Sequence, residues 1–335
     1  MQPIFIAGTG RSGTTLLLRL LNDHPEVFAV TWESRFLVDG GGLMDLVDAL
    51  TTEYSPSRAR EALYRFEQMM RVDLTDPASR PYFGYDLTNW FGDNYWTALD
   101  EFCDALLLYE FKGLDHTVAQ SESRFMELAR KLDRMMQRMR GRRILANRRL
   151  ARPKIREPRY FSDRCELIDL TRKYVQSLFD VPSAAAGCQA WCEKTPHNLF
   201  HLDVLLELFP NAHFIHAIRD PRDVVCSYLN QVWAPNRLDD VVSLLNGMYQ
   251  AWFDRADMWR LADYQYRELR LEDLVMHTDT TLASLQSFCG FSQPFEVGDI
   301  IQPEMVGGWK LKLNKEELHH VEERLGKYID RLGYC

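Results

Sequence analysis

A glycine-rich turn between two apolar segments is the feature that most restricts how this chain folds. In the opening sequence PIFIAGTGRSGTTLLLRLL, residues 3–7 form an apolar run and residues 15–21 form a leucine-rich one. The first pattern predicts a buried strand and the second an α-helix. A turn from strand into helix directs backbone N–H groups and the positive end of the helix dipole at one point. The sequence therefore predicts a site for a phosphate or sulfate group in this turn.

The composition is typical of a globular enzyme or binding protein. The chain has 335 residues, of which 46% are hydrophobic, and we expect one domain over residues 1–335. It contains no apolar run of about 18 residues and no signal-peptide pattern, so we expect a cytoplasmic protein. Its seven cysteines are scattered and match no zinc signature, which favours reduced thiols and no bound metal.

Strand and helix patterns alternate along most of the chain. After the first helix, EVFAV predicts a strand that ends near Glu33, and CQAWCEK, AHFIHAI and YQYRELRL predict three later strands. Helical patterns occupy residues 198–208, 222–232 and 239–261, and a last helix is expected from about 315 to 332. The alternation predicts an α/β fold, in which helices flank a P-loop-type parallel sheet.

Residues 40–180 interrupt this alternation. They show helical spacing broken by five prolines, and we find no strand pattern among them. The sequence therefore predicts a large helical insertion between the second and third strands. We expect this insertion to bind a second ligand beside the predicted anion site or to act as a lid.

The strongest charge anomaly lies inside the insertion. Residues 130–159 contain thirteen Lys or Arg against Asp133 and Glu157, although the whole chain has a net charge of −8. An amphipathic helix is predicted there by the spacing of Leu128, Leu132, Met135 and Met139. Its basic face either stays solvated or attracts an anionic surface or an acidic partner. No nucleic-acid recognition module accompanies it, so we expect no nucleic-acid partner.

The glycine spacing of the first loop fits two nucleotide-binding patterns in part. Gly8, Gly10 and Gly13 match GxGxxG, and Glu33 lies where a dinucleotide-binding fold places its ribose-binding acid, as in an NAD(P)-dependent oxidoreductase. The frame GxxxxGK[ST] also fits, but Thr14 replaces the lysine that contacts the β- and γ-phosphates. Neither pattern explains the arginine of the loop.

A third interpretation uses every polar residue of the loop. GRSGTTLL resembles the 5′-phosphosulfate loop of the sulfotransferase family, whose donor is 3′-phosphoadenosine-5′-phosphosulfate (PAPS) and whose product is 3′,5′-adenosine bisphosphate (PAP). The family's second signature is an arginine after a strand with a serine eight residues on, and FIHAIRDPRDVVCSY provides Arg219 and Ser227. The spacing of RSGTT, HPEV and ESR is most similar to the tyrosylprotein sulfotransferase branch, with one extra residue before Glu33.

The resemblance implies which residues bind the donor. The N–H groups of residues 12–15 would surround the 5′-phosphate, and Arg219 with Ser227 would hold the 3′-phosphate. VGGWKLKL resembles the closing loop of the family, so Trp309 and Lys310 would clamp the nucleotide. The donor-binding set is therefore Arg11, Ser12, Gly13, Thr14, Thr15, Arg219, Ser227, Trp309 and Lys310.

The resemblance also implies the catalytic residues. Arg11 and Lys194, the latter in the EKTP loop, would stabilise charge on the sulfonate and its bridging oxygen without magnesium. Glu33 would be the general base, with His197 as the alternative, whereas His216 alternates with apolar residues and is expected in the core. The acceptor would be a hydroxyl or amine on a carbohydrate, lipid, peptide or small metabolite. A non-catalytic nucleotide-binding module with a basic partner-binding helix is the remaining alternative.

Overall fold

The computed structural model of the protein describes residues 1–78, 86–112, 135, 154–256 and 265–334. Its strands, in chain order, are β1 (Gln2–Gly8), β2 (Val27–Ala29), β3 (Leu107–Lys112), β4 (Lys154–Pro158), β5 (Ala190–Lys194), β6 (His213–Ile218) and β7 (Tyr266–Arg270). Five of them form one parallel sheet in the order β2-β5-β1-β6-β7. The predicted α/β fold with a central parallel sheet is confirmed.

Helices precede or follow most of these strands. In the described residues they are α1 (Thr14–Asn22), α2 (Leu43–Leu50), α3 (Pro56–Gln68), α4 (Thr88–Phe91), α5 (Asn94–Ala105), α6 (Arg164–Ala185), α7 (Leu202–Leu208), α8 (Pro221–Leu229), α9 (Leu238–Ala256), α10 (Leu271–Met276), α11 (Thr278–Cys289), α12 (Trp309–Lys312) and α13 (Lys315–Arg331). Asn314 begins α13 with a capping box to Glu317, which satisfies backbone donors at that end. No described helix combines the length and the apolar character needed to cross a membrane.

The register of the central strands determines where a ligand can bind. Ile6 of β1 pairs with Lys194 at the end of β5, and Gly8 pairs with Ala217 near the end of β6. The three strands therefore end at the same edge of the sheet. In a parallel sheet the loops at this edge carry the binding site, so the loops after β1, β5 and β6 are brought together.

The insertion contains strands, contrary to our expectation for residues 40–180. β3 and β4 form a separate antiparallel pair, with Glu110 opposite Arg156. Arg156 Nε lies 3.2 Å from Glu110 Oε1, and Lys154 Nζ lies 2.6 Å from Glu110 Oε2. The prediction was wrong because β3 is largely exposed and its partner is distant in sequence. Cross-strand charge pairs of this kind replace the buried alternation that identifies a strand in a sequence.

Two other expectations differ from the structure in detail. The helix predicted at 198–208 is divided into a 3₁₀ turn, Pro196–Phe200, and the helix α7. The helix predicted at 222–232 ends at Leu229. The amphipathic helix predicted from the spacing of Leu128, Leu132, Met135 and Met139 lies outside the described residues, apart from residue 135. The end of the basic segment is described and contains β4.

One hydrophobic cluster connects the insertion to a face of the sheet. Trp191 of β5 is fully buried and stacks on Phe179 of α6, with ring centroids 4.3 Å apart. Phe5 of β1 also packs on Trp191, edge to face at 5.5 Å. Because α6 packs directly on the sheet strand that carries Lys194, the insertion supports the edge where the loops meet.

Candidate active site

The turn after β1 has the backbone of an anion-binding loop. Gly10, Arg11 and Gly13 have φ angles of 77°, 55° and 100°, in the left-handed region that glycine tolerates and other residues rarely adopt. Gly13 caps α1 without a side-chain hydrogen bond, which leaves the N–H groups of the first turn available to a ligand. Ser12 is buried, and its Oγ has no hydrogen-bond partner among the described residues. The loop therefore presents N–H and O–H donors to one anion.

The segment after β6 contacts this loop directly. Arg11 Nε donates to Ser227 Oγ at 3.0 Å, and Arg219 Nη1 donates to the Arg11 carbonyl oxygen at 3.1 Å. Tyr228 Oη donates to the Thr9 carbonyl oxygen at 2.8 Å. Burial and the nearby Arg219 charge lower the pKa of Arg11. Two guanidinium groups held this close create a strongly positive site that suits a ligand with several negative charges.

Gly10→Ala is expected to destabilise the fold by more than the backbone cost alone. A Cβ at Gly10 would lie 2.7 Å from Tyr228 Oη, whereas at Gly290, where φ is also in the left-handed region, no described atom lies within 4 Å. Gly290→Ala should therefore cost about 1–2 kcal/mol of unfolding free energy. Gly10→Ala should cost about 1–3 kcal/mol more because of the added clash. Urea unfolding of both variants measures the difference, and equal losses would contradict this description of the loop.

The predicted closing loop is anchored on α8. Asp223 is buried, and its carboxylate accepts hydrogen bonds from Gly307 N–H at 2.6 Å and from Trp309 N–H at 2.8 Å. Lys310 Nζ lies 5.7 Å from the centre of the Trp309 ring. A buried carboxylate that receives two backbone donors fixes the path of the chain at that point. Asp223 therefore positions the segment that contains Trp309 and Lys310.

Arg219 joins the closing loop to the glycine-rich turn. In addition to its bond to Arg11, its Nη2 donates to the Met305 carbonyl oxygen at 2.6 Å. The same nitrogen lies 3.9 Å from Asp223 Oδ2, a long ion pair. Its Nε is buried and has no hydrogen-bond partner among the described residues. Arg219 thus contacts both loops and retains a donor that a ligand can use.

A carboxylate and a lysine meet at the same edge of the sheet. Lys194 Nζ donates to Glu33 Oε1 at 2.9 Å, and the exposed fractions of the two side chains are 7% and 32%. Glu33 follows β2 and Lys194 ends the adjacent strand β5, which explains why residues so far apart in sequence are in contact. Glu33 also lies within electrostatic range of Arg11. Burial lowers the pKa of the Arg11 guanidinium, and the nearby Glu33 carboxylate raises it. The pair therefore lies beside the anion-binding loop.

The two histidines of the sequence prediction have different surroundings. His197 lies on the 3₁₀ turn after β5, and its side chain is 57% exposed. Its Nδ1 is 3.9 Å from Asp39 Oδ1, and Asp39 also pairs with Arg35. His216 is buried in the core, as predicted, and burial lowers its pKa to about 3. His216 is therefore neutral at ordinary pH and does not reach the site.

Three supporting residues were missed in the sequence. Tyr228 and Asp223 hold the two loops described above, and Glu193 is a fully buried carboxylate beside Lys194. Glu193 is the one of the three with a clear signal, because an acid at the end of the apolar run AWC needs buried partners. The partners of Asp223 and Tyr228 are backbone groups about 84 and 219 residues away, and sequence patterns do not reveal such contacts.

Comparison with known proteins gives a consistent family assignment. The model of the Sulfotransferase family matches residues 3–82 and 97–295. A curated relative is the omega-hydroxy-beta-dihydromenaquinone-9 sulfotransferase Stf3 of Mycobacterium bovis, which is 28% identical over 163 residues. The Mycobacterium tuberculosis protein of the same name matches equally well. The aligned region covers 42% of this chain and 40% of these relatives, so it spans less than half of their length.

Solved structures give a broader and more distant likeness. The sulfotransferase domain of the Synechococcus PCC 7002 olefin synthase is 17% identical, with a TM-score of 0.44 over 97% of this chain and 94% of that domain. The sulfotransferase domain of the curacin biosynthetic pathway is 14% identical, with a TM-score of 0.45 over 97% of this chain and 98% of that domain.

Proposed function

The chain belongs to the sulfotransferase family, and we propose that it transfers a sulfuryl group from PAPS to a hydroxyl group of an apolar acceptor. The contact between the two anion-binding segments is the observation that carries the proposal. Arg11 touches Ser227, and Arg219 touches the backbone of Arg11, so a nucleotide with phosphates at both ends of its ribose can bind both segments.

The donor would be bound by hydrogen-bond donors of the glycine-rich turn and of the segment after β6. The N–H groups of residues 12–15, with the hydroxyls of Thr14 and Thr15, receive the 5′-phosphate at the start of α1. Arg219 and Ser227 receive the 3′-phosphate. The buried Ser12 Oγ and Arg219 Nε, which have no partner among the described residues, are donors that such a ligand satisfies. The closing loop brings Trp309 and Lys310 over the nucleotide.

The transfer is an in-line displacement. The acceptor oxygen forms a bond to sulfur, the bond from sulfur to the 5′-phosphate oxygen breaks, and PAP leaves with the electron pair. Arg11 and Lys194 stabilise the charge that develops on the sulfonate and on the bridging oxygen. Glu33 accepts the proton of the attacking hydroxyl, since its carboxylate is partly exposed next to the anion-binding loop.

Two tryptophans support an apolar acceptor. Trp32 precedes the proposed base and is 47% exposed, and Trp233 is 50% exposed. The Trp233 ring packs edge to face on Tyr228 at 5.6 Å, next to the glycine-rich turn. Exposed tryptophans beside a polar site are suited to an apolar molecule with one reactive hydroxyl. The curated relatives are named for a substrate of that kind, a hydroxylated menaquinone.

Transfer of labelled sulfate from PAPS tests the proposal. We expect farnesol, an apolar alcohol, to be sulfated, and a hexose and a soluble tyrosine peptide to be poor acceptors. Labelling of the hexose or the peptide alone would contradict the acceptor class. Absence of any transfer together with no detectable affinity for PAP would contradict the reaction itself.

A further inference from the structure

Glu193 is a buried carboxylate that the proposed reaction does not use. It is fully buried, and it lies in β5, which pairs with β1 on one side and with β2 on the other. Removing a carboxylate from water is unfavourable unless hydrogen bonds replace its hydration. A buried carboxylate is tolerated only where hydrogen-bond donors replace the lost water, and the positions of those donors indicate what the residue does.

Three donors surround this carboxylate. Ser34 Oγ and Thr195 Oγ1 donate to Glu193 Oε1 at 2.6 and 2.7 Å, and Asn198 Nδ2 donates to Oε2 at 2.6 Å. Burial raises the pKa of Glu193, while these hydrogen bonds and the Lys194 charge oppose that shift. The three donors come from separate segments: the chain after β2, the end of β5 and the 3₁₀ turn that follows it. Glu193 therefore ties these segments together.

Two of the three tied segments are adjacent to a proposed catalytic residue. Ser34 follows Glu33 in the chain, and Lys194 follows Glu193, while Glu33 and Lys194 are themselves 2.9 Å apart. Thr195 Oγ1, which donates to Glu193, also accepts a hydrogen bond from Arg35 N–H at 3.2 Å. Arg35 has a φ of 62°, an unfavourable backbone conformation that needs support from its surroundings. The Glu193 network supplies that support.

We propose that Glu193 is a positioning residue that holds Glu33 and Lys194 in the geometry required for proton removal and charge stabilisation. The inference rests on the proposed function, because it assigns Glu193 to the same reaction. Glu193 touches neither the acceptor nor the donor. It acts through Ser34 and Thr195, because hydrogen-bond partners that do not touch a substrate orient the side chains that do.

Glu193→Gln is the variant that tests this role. It keeps the shape of the side chain but places an amide NH₂, itself a donor, among the hydrogen-bond donors of Ser34, Thr195 and Asn198. We expect kcat with PAPS and farnesol to fall about 10–100-fold, with KM for PAPS within about twofold. Amide hydrogen exchange at residues 33–35 should become faster. In a Glu33→Gln background the same change should reduce kcat by less than it does in the wild type, since only the part of the effect that acts through Lys194 remains.

Asp223→Asn is the matched control, because Asp223 is also buried and also accepts two hydrogen bonds. It should weaken PAP binding and leave exchange at residues 33–35 unchanged. If Glu193→Gln does not fold, Ser34→Ala removes one donor and should accelerate exchange at residue 35.

Unchanged exchange and unchanged kcat in Glu193→Gln would overturn the inference, as would a full additional loss in the Glu33→Gln background. If the wild-type protein sulfates no acceptor, the proposed function fails. The exchange experiment then still decides whether Glu193 holds residues 33–35.

Discussion

Glu33→Gln is expected to reduce turnover by about 10²–10⁴-fold, the usual contribution of a general base. The dissociation constant for PAP should stay within about twofold of the wild-type value. The reason is that Glu33 is hydrogen-bonded to Lys194 and not to the anion-binding loop. Gln retains the shape of the side chain but cannot take a proton. Labelled-sulfate transfer under saturating PAPS measures kcat, and calorimetry with PAP measures affinity.

His197→Asn is the control for this prediction. His197 is more than half exposed and its nearest charged neighbour is Asp39, so its loss should change kcat by less than about threefold. If Glu33→Gln retains wild-type turnover and His197→Asn loses it, the base is His197 and our assignment is wrong.

Arg11→Ala is expected to have the second-largest effect. Arg11 would contact the transferring sulfonate, and loss of one such donor costs about 2.7–4 kcal/mol of transition-state stabilisation, or 10²–10³ in kcat. PAP binding should also weaken, because Arg11 Nε holds Ser227 next to the loop. Steady-state kinetics and PAP calorimetry on the same preparation separate the two effects.

Two variants make the Arg11 result specific. Arg11→Lys keeps the positive charge, and lysine must adopt the same φ of 55° as arginine at this position. It lacks the planar set of donors of a guanidinium group, so it should recover only part of the activity that Arg11→Ala loses. Arg237→Ala removes a side chain that is 73% exposed and pairs with Asp239 and Asp240 at 4.0 Å, and it should behave as wild type. If Arg11→Lys is fully active, or Arg237→Ala is equally impaired, Arg11 has no special role.

The sequence predicted the parts of the site that depend on local chemistry. A strand followed by GTGRSGTT and a helix requires a particular backbone, and Gly10 and Gly13 adopt the left-handed φ that such a turn needs. The spacing of Arg219 and Ser227 places Arg219 in the loop between β6 and α8 and Ser227 in the last turn of α8, and both contact Arg11 of the glycine-rich turn. These features are encoded within a few residues.

The parts that could not be predicted depend on contacts between distant segments. The role of Glu193 is apparent only when the fold places Ser34 and Asn198 around it. Likewise, the role of Asp223 is apparent only when the closing loop packs on α8. The strands β3 and β4 were missed for a related reason, since the two strands are far apart in sequence and the side chains of β3 are largely exposed. Local pattern identifies a reactive residue more readily than the residues that hold it.

The oxidoreductase alternative assigned Glu33 to a ribose hydroxyl. In the structure Glu33 accepts a hydrogen bond from Lys194. The chain also belongs to the sulfotransferase family. We therefore interpret the GxGxxG spacing as the geometry of a phosphate-binding turn, which dinucleotide-binding and sulfuryl-transferring proteins both require.

Two separate segments are assigned to the two ends of one nucleotide, and calorimetry with paired ligands distinguishes this arrangement from binding by one segment alone. PAP and 5′-AMP differ only in the 3′-phosphate, which we assign to Arg219 and Ser227. We predict that the wild-type protein prefers PAP by about 10²-fold and that Arg219→Ala removes most of this preference. Equal affinity for PAP and 5′-AMP in the wild type, or a preference that survives in Arg219→Ala, would contradict this arrangement.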